Sequence, residues 1–244
     1  MTDALVPTLD AMAAVLDAVR RDPPRVHAIT SPVAAERTAN TLLALGITPS
    51  MTVNPAEIPA FVSAGDALLV NLGMLDAVRD AAITVAVAEA QRLKRPWVLD
   101  PVFADVSPAR RRRTRDLLAL APAAIKANAS ETALTGTAPD ATLRIITGAE
   151  DTASLPGRRI TIRNGHPLGS RVTAMGCALG AVIAGFLARS DDPVTGAGAA
   201  LLAYALAVEQ AGKGAAGPGS FAFRFYDCLA ALDGAALLDQ GRIA

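Results

Sequence analysis

The feature that most constrains this chain is a repeated switch between two periodicities. Leu9, Met12, Ala13, Leu16 and Val19 recur at helical spacing. "RVHAIT" then follows Pro23–Pro24 and reads as a strand. "AERTANTLLALG" reads as a helix stopped by Gly46, and "PSMTV" as a short strand. "DALLVNLG" is a buried strand ending near Asn71–Gly73, and Met74 to Leu93 a long helix. "PWVLDP" is a strand ending in Asp100, and Pro108 to Leu120 a helix. "AAIKANASE" is a strand passing into a helix, "LRIITG" a strand, and "RRITIRNGHPLG" a strand and turn. Three helical segments follow, from Gly176, from Val194 and from about Ser220.

This alternation predicts an α/β fold with a mainly parallel sheet and helices on both faces. The chain has 244 residues, 52% of them hydrophobic, enough for a large core. No linker or repeat divides it, so residues 1–244 are expected to form one domain. The formal net charge is +0, which argues against a nucleic-acid partner. The run Arg110–Arg113 reads as a solvated helix face, with a phosphate-facing arginine as the alternative. Cys177 and Cys228 are the only cysteines and His27 and His166 the only histidines, so a zinc site is not expected. The N-terminus has early acids and no basic, then apolar, signal pattern. The apolar runs Ala178–Ala188 and Ala197–Ala207 are shorter than the ~20 residues of a membrane span. A cytoplasmic protein without membrane partners is expected.

Strand ends carry the polar residues Thr30, Asn71, Asp100, Asn128 and Thr147–Gly148. In open α/β sheets, ligands bind outside the carboxyl ends of the strands. "VTAMGCALGAVIAGFLA" places Gly176 and Cys177 where a helix begins. A helix N-terminus has unpaired amides and a partial positive charge, and glycine lets an anion approach them. The same field is expected to make the Cys177 thiol more acidic. The competing reading is a small buried residue packing the helix start. Carboxylates at Asp100 and Glu131 near such a turn would suit a Mg2+–nucleotide.

The segments "VHAIT", "TANTLLALGITPSM", "LLVNLG", "VLDPV", "KANASE", "ITG", "NGHPLGSRVTAMGC" and "GPGSF" together resemble the hydroxyethylthiazole kinases, a branch of the ribokinase-like fold. The resemblance covers nearly the whole chain. It implies a three-layer fold, with ATP and Mg2+ phosphorylating the hydroxyethyl arm of 4-methyl-5-(2-hydroxyethyl)thiazole in thiamin salvage. It also implies a homotrimer with sites at subunit interfaces. By resemblance, Cys177 is the catalytic base and Gly176 belongs to the anion hole. Asp100 and Glu131 stand on the metal side, with Asn128 in the Asn-x-x-Glu motif. Lys126, Asn128, Thr147, Gly148 and Ala174 fall at nucleotide positions. Met51, Asn71, Gly73 and Ala174 fall at substrate positions, with Met51 working across a subunit boundary.

The chain departs from that pattern at several places. It has Ala174-Met175-Gly176-Cys177 where the family has glycine and a small residue before Gly-Cys, and Phe103-Ala104-Asp105 where the family has Gly-Ala-Gly. "HAITS" replaces "HNITN", and Lys126 replaces an arginine. Lysine cannot fork onto a phosphate as arginine does. A kinase for a different alcohol and a catalytically weakened binding protein are the alternatives. His27 reads as a packed strand histidine, His166 as a turn residue and Cys228 as core. Asp105 reads equally as a cap or a metal-side acid.

Overall fold

The computed structural model describes residues 6–244. Its first half alternates α1 (Leu9–Arg21), β1 (Arg25–Ile29), α2 (Pro32–Ala44), β2 (Thr48–Ser50), α3 (Ile58–Ala64), β3 (Ala67–Asn71), α4 (Ala77–Arg92), β4 (Trp97–Asp100), α5 (Pro108–Leu118) and β5 (Ala124–Asn128). The short α6 (Thr132–Thr135) precedes β6 (Leu143–Thr147), β7 (Asp151–Leu155) and β8 (Arg158–Ile162). A 3-10 turn at Pro167–Arg171 leads to α7 (Met175–Leu187), α8 (Pro193–Lys213), α9 (Pro218–Ala231) and α10 (Gly234–Gln240). Proline opens α2, α5, α8 and α9, where its fixed φ suits the first helical position and its missing N–H costs nothing.

The sheet order is β2-β1-β3-β4-β5-β6-β7-β8. Pairing is parallel from β2 to β6 and antiparallel from β6 to β8. Both faces are covered, so the central strands are almost wholly apolar and their residues alternate between two cores. Ala67 and Leu69 face the core under α1, α2, α7, α8 and α9, whereas Leu68 and Val70 face α3, α4 and α5. The expectation of a mainly parallel sheet flanked by helices holds. The sequence reading missed α3, β7 and α10, and it placed β2 slightly late.

The apolar helix α7 lies directly against the sheet because it carries glycine where it crosses. A Cβ on Gly180 would sit 2.9 Å from Leu69 Cδ1 and 3.7 Å from Asp100 Oδ2. Cys177 is one turn before Gly180 on the same helix face. Packing of α7 therefore aims the thiol at the carboxyl ends of β3 and β4. The length argument against a membrane span needs correction for α8, which is long and apolar enough to cross a bilayer. Its apolar window is 94% buried within the protein, which makes it a core helix.

Candidate active site

Three neighbouring strand ends and one helix start build a charged cluster. Asp100, at the end of β4, is 1% exposed. Its Oδ2 accepts from Asn71 Nδ2 of β3 at 2.8 Å and from Lys126 Nζ of β5 at 3.0 Å. Lys126 Nζ also donates to the Gly176 carbonyl of α7 at 3.0 Å. The Asn71 side-chain oxygen accepts the Gly73 amide at 3.0 Å. A Cβ on Gly73 would fall 2.9 Å from that oxygen, so the turn needs glycine for space.

Glu131 closes the cluster from the β5–α6 turn. It is buried, and its two oxygens accept the Phe103 amide at 2.6 Å and the Asn128 amide at 3.1 Å. Asn128 in turn caps the turn, its side-chain oxygen accepting from the Ser130 and Glu131 amides at 2.9 and 3.0 Å. The loop after β4 has left-handed backbone at Val102 (φ 21) and Phe103 (φ 57). Non-glycine residues there cost about 1–3 kcal/mol each and persist only where the surroundings hold them. Lys126 and Cys177 both feel the charge of Asp100 first and that of Glu131 least, so Asp100 is the nearer acid to both.

Beside the cluster opens a cleft of about 670 Å³, walled by Thr147, Gly148 and Asp151 on one side and Met175, Gly176 and Leu179 of α7 on another. Its far wall is Tyr204, Ala205 and Val208 of α8 with the loop around Gly165 and His166. The helix α7 begins without a capping side chain, which leaves its first amides for a ligand. The arrangement is an anion-receiving helix start between a polyphosphate-sized cleft and a carboxylate–lysine–thiol cluster.

A model of the hydroxyethylthiazole kinase family matches residues 16–140 and 137–234. The chain is 40% identical over 237 residues to a probable hydroxyethylthiazole kinase of Agrobacterium fabrum, covering 97% of this chain and 96% of that one. It is 41% identical over 256 residues to the hydroxyethylthiazole kinase of Rhizobium etli, covering 94% and 99% respectively. The chain belongs to the hydroxyethylthiazole kinase family. The solved structure of the hydroxyethylthiazole kinase protein from Pyrococcus horikoshii superposes with a TM-score of 0.91 at 31% identity, covering 96% of this chain and 98% of that one. A ribokinase-like superfamily protein from Enterococcus faecalis, at 12% identity and TM-score 0.64, shares the fold. The architecture is thus ribokinase-like, and the family makes the chain a phosphotransferase acting on an alcohol.

Within this family member the expected residues divide. Thr147, Gly148 and Gly176 line the cleft. Asn71, Asp100 and Lys126 are bonded to one another, with Cys177 and Glu131 near enough to act on Lys126 through their charges. Asn71 and Gly73, expected at the substrate, have their polar groups engaged within the protein. Lys126 and Asn128, expected at the nucleotide, are not among the cleft walls; Lys126 stands behind Gly176 instead. Met51 lies apart, just beyond the edge strand β2. Three strand steps separate β2 from β4, roughly 14 Å. The "GPGSF" turn caps α9 through Ser220 and buries Phe221 away from the cleft.

Two expectations are corrected. Burial and the Asp100 charge push the Cys177 thiol up, against the opposing pull of the Lys126 charge. The thiol is therefore protonated at neutral pH and not the activated thiolate that the helix start suggested. Of the run Arg110–Arg113 only Arg112 is exposed, so a solvated face holds for that residue alone. Arg110 and Arg111 bind backbone carbonyls of the loop after β4, and Arg113 pairs with Asp80 of α4. Burial alone would lower the Lys126 ammonium, but Asp100, Cys177 and Glu131 outweigh it and raise it.

Ala174 has φ 64 and ψ 8, a left-handed N-cap that costs alanine about 1–2 kcal/mol. The Met175 side chain turns into the core, its carbonyl accepting from Tyr204 Oη at 2.7 Å. Asp151 was missed in the sequence. It lines the cleft, accepts the Gly148 amide at 3.0 Å, and burial raises its carboxyl to about 6. Tyr204 and Val208 were missed because i, i+4 spacing on an apolar helix reads as core. His27 is packed as expected, its Nδ1 2.8 Å from Ser50 Oγ and burial lowering it to about 4. His166 caps the 3-10 turn, Nδ1 accepting the Leu168 amide at 3.2 Å, and Cys228 packs beside the core.

The donors suit a Mg2+ ion that arrives with a nucleotide. Mg2+ keeps several waters and takes one or two carboxylates together with phosphate oxygens. Asp100 makes its hydrogen bonds through Oδ2, leaving Oδ1 for such a contact. Among the described residues no group of three His, Cys, Asp or Glu forms a dedicated cage.

Proposed function

We propose that the chain transfers the γ-phosphoryl group of ATP to the hydroxyethyl group of 4-methyl-5-(2-hydroxyethyl)thiazole. The observation that carries this reading is the Asp100–Lys126–Cys177 cluster set against the uncapped start of α7 and beside the cleft. The cleft takes the nucleotide, with its phosphates toward Thr147, Gly148 and Gly176. The α7 amides stabilise the charge on the transferred group. Asp100 and Glu131 would hold Mg2+, whose charge would offset that of the phosphates. The hydroxyl oxygen forms the new P–O bond as the bond to the departing ADP breaks. In a loose transition state the hydroxyl keeps its proton until late and then gives it to an oxygen of the transferred phosphoryl group, so the neutral Cys177 thiol needs only to orient it. Asn71 and Lys126 are positioning residues for Asp100 and Gly176.

Two further parts of the reading follow from the family. The distance of Met51 from the cluster fits a homotrimer in which Met51 of one protomer meets the substrate of its neighbour. One catalytic domain over residues 1–244, working in the cytoplasm in thiamin salvage, completes it. The test is ADP release, and thiazole phosphate formation, across thiazole and pyrimidine alcohols with and without Mg2+. Mg2+-dependent turnover greatest on the thiazole supports the reading, and turnover confined to another alcohol overturns the substrate assignment. Left-handed Ala174 favours a second reading, a member slowed at its phosphate turn. Saturable ATP binding with negligible turnover on every alcohol would establish it.

A further inference from the structure

The arginine run remains outside the site described so far, yet it touches it. It occupies the start of α5, where the helix field favours acids, and the first turn contains none. Cations placed against that field need a compensating partner. Arg110 Nη1 donates to the Val102 carbonyl at 2.9 Å. Arg111 Nε donates to the Ala104 carbonyl at 3.2 Å, and its Nη2 reaches the Asp105 carbonyl. Both side chains are half-buried, whereas Arg112 is exposed and its side chain has no hydrogen bond or ion pair among the described residues. The gripped segment contains the left-handed pair Val102 and Phe103. Neither residue favours that backbone, and a β-branched valine there is an outlier. The Phe103 amide, aimed by this conformation, is what donates to Glu131 Oε1 at 2.6 Å.

We propose that Arg110 and Arg111 are positioning residues: they hold the left-handed Val102–Phe103 turn so that the Phe103 amide fixes the Glu131 carboxylate in the cluster. Charge-assisted bonds to carbonyls are strong enough to stabilise a turn that its own residues disfavour. The run thus acts on the site without touching substrate. Arg112, one residue on, faces solvent and serves as an internal reference. The inference rests on the kinase reading above.

The experiment compares wild type, Arg112→Ala, the double variant Arg110→Ala with Arg111→Ala, and that double variant carrying Phe103→Gly. Glycine takes positive φ without steric cost, so it removes part of what the arginines must hold. Two readouts are used: Mg2+-ATP turnover on the thiazole alcohol, and amide hydrogen exchange of residues 101–107 in the free protein. Expected are a tenfold or greater fall in kcat and faster exchange in the double variant, an unchanged Arg112→Ala, and recovery of at least threefold in kcat with Phe103→Gly. A general loss of α5 structure would not be rescued by glycine in the preceding loop. A double variant that matches Arg112→Ala in both readouts, or one that Phe103→Gly fails to rescue, overturns the proposal. If wild type itself transfers no phosphate, the kinase reading has failed; the exchange comparison still decides whether the arginines hold the turn.

Discussion

Two buried carboxylates show how one fold uses the same group in different ways. Glu209, near the C-terminal end of α8, is saturated: Asn164 Nδ2 at 3.0 Å, the Gly165 amide at 3.3 Å, Arg242 Nη2 at 2.7 Å and Lys213 Nζ at 2.8 Å. These donors, Arg242 foremost, hold its carboxyl down to about 2. The network ties the C-terminal residues, whose backbone pairs with Thr161, onto the edge strand β8. Asp100 takes its donors on one oxygen only and lies where β4 ends under α7. The lesson is that charge and burial alone do not distinguish a structural acid from a working one. For Asp100 the oxygen left without a protein donor, at a ligand-facing strand end, does; Glu131, with one backbone amide on each oxygen, is the intermediate case.

The largest expected effect comes from breaking the open acid. Asp100→Asn should lower kcat by about 10²–10³-fold, the range for losing one preorganised electrostatic group. It also leaves Lys126 buried beside a neutral partner, so thermal stability should fall as well. Steady-state ADP release and a melting curve separate the two losses.

Glu209→Gln should show the opposite balance. Loss of the saturated acid should cost on the order of 2–3 kcal/mol of stability in urea unfolding, with kcat within about threefold of wild type. The pH dependence sharpens the contrast. Folding depresses the Glu209 carboxyl from 4.5 to about 2. Its stabilisation is therefore full above about pH 4.5 and is lost as pH falls toward 2. Glu209→Gln should remove that part of the acid sensitivity. Unfolding titrations of both proteins between pH 2 and 6 measure it.

Cys177 tests whether the cluster needs a base. Cys177→Ala should lower turnover about tenfold, or ~1.4 kcal/mol, with ATP affinity retained. Cys177→Asp should match or exceed wild type, because a carboxylate accepts a proton more readily and suits the helix start. Alanine turning over at the wild-type rate would make Cys177 a packing residue. The smallest effect belongs to Ala174→Gly, which relieves a left-handed alanine and should stabilise the protein by about 1 kcal/mol. A faster thiazole phosphorylation in that variant would show that the strain also slows the site.

Much of this was legible in the sequence for physical reasons. The alternation of periodicities gave the parallel sheet, because strands buried on both faces must be continuously apolar, as Ala67–Asn71 is. The polar strand ends gave Asn71, Asp100 and Thr147, because a parallel sheet gathers those ends on one edge. Contact direction was not legible. Lys126 reads as a phosphate ligand by position, and only the packing of α7 shows it bonded to Gly176 and Asp100. Cys177 reads as acidic from its helix start, and only burial beside Asp100 reverses that. Nothing in the run Arg110–Arg113 says which arginine meets a carbonyl, because that depends on a loop backbone that no periodicity encodes.

The central claim is that the cluster under α7, and not buried charge in general, performs phosphoryl transfer to the thiazole alcohol. The most direct measurement is the rate of 4-methyl-5-(2-hydroxyethyl)thiazole phosphorylation by Mg2+-ATP in wild type, Asp100→Asn and Glu209→Gln, each at a temperature where it is fully folded. The account predicts product from wild type, a similar rate from Glu209→Gln, and a loss of about a hundredfold or more from Asp100→Asn. Equal losses in the two variants, or no thiazole phosphate from the folded wild-type protein, would contradict it.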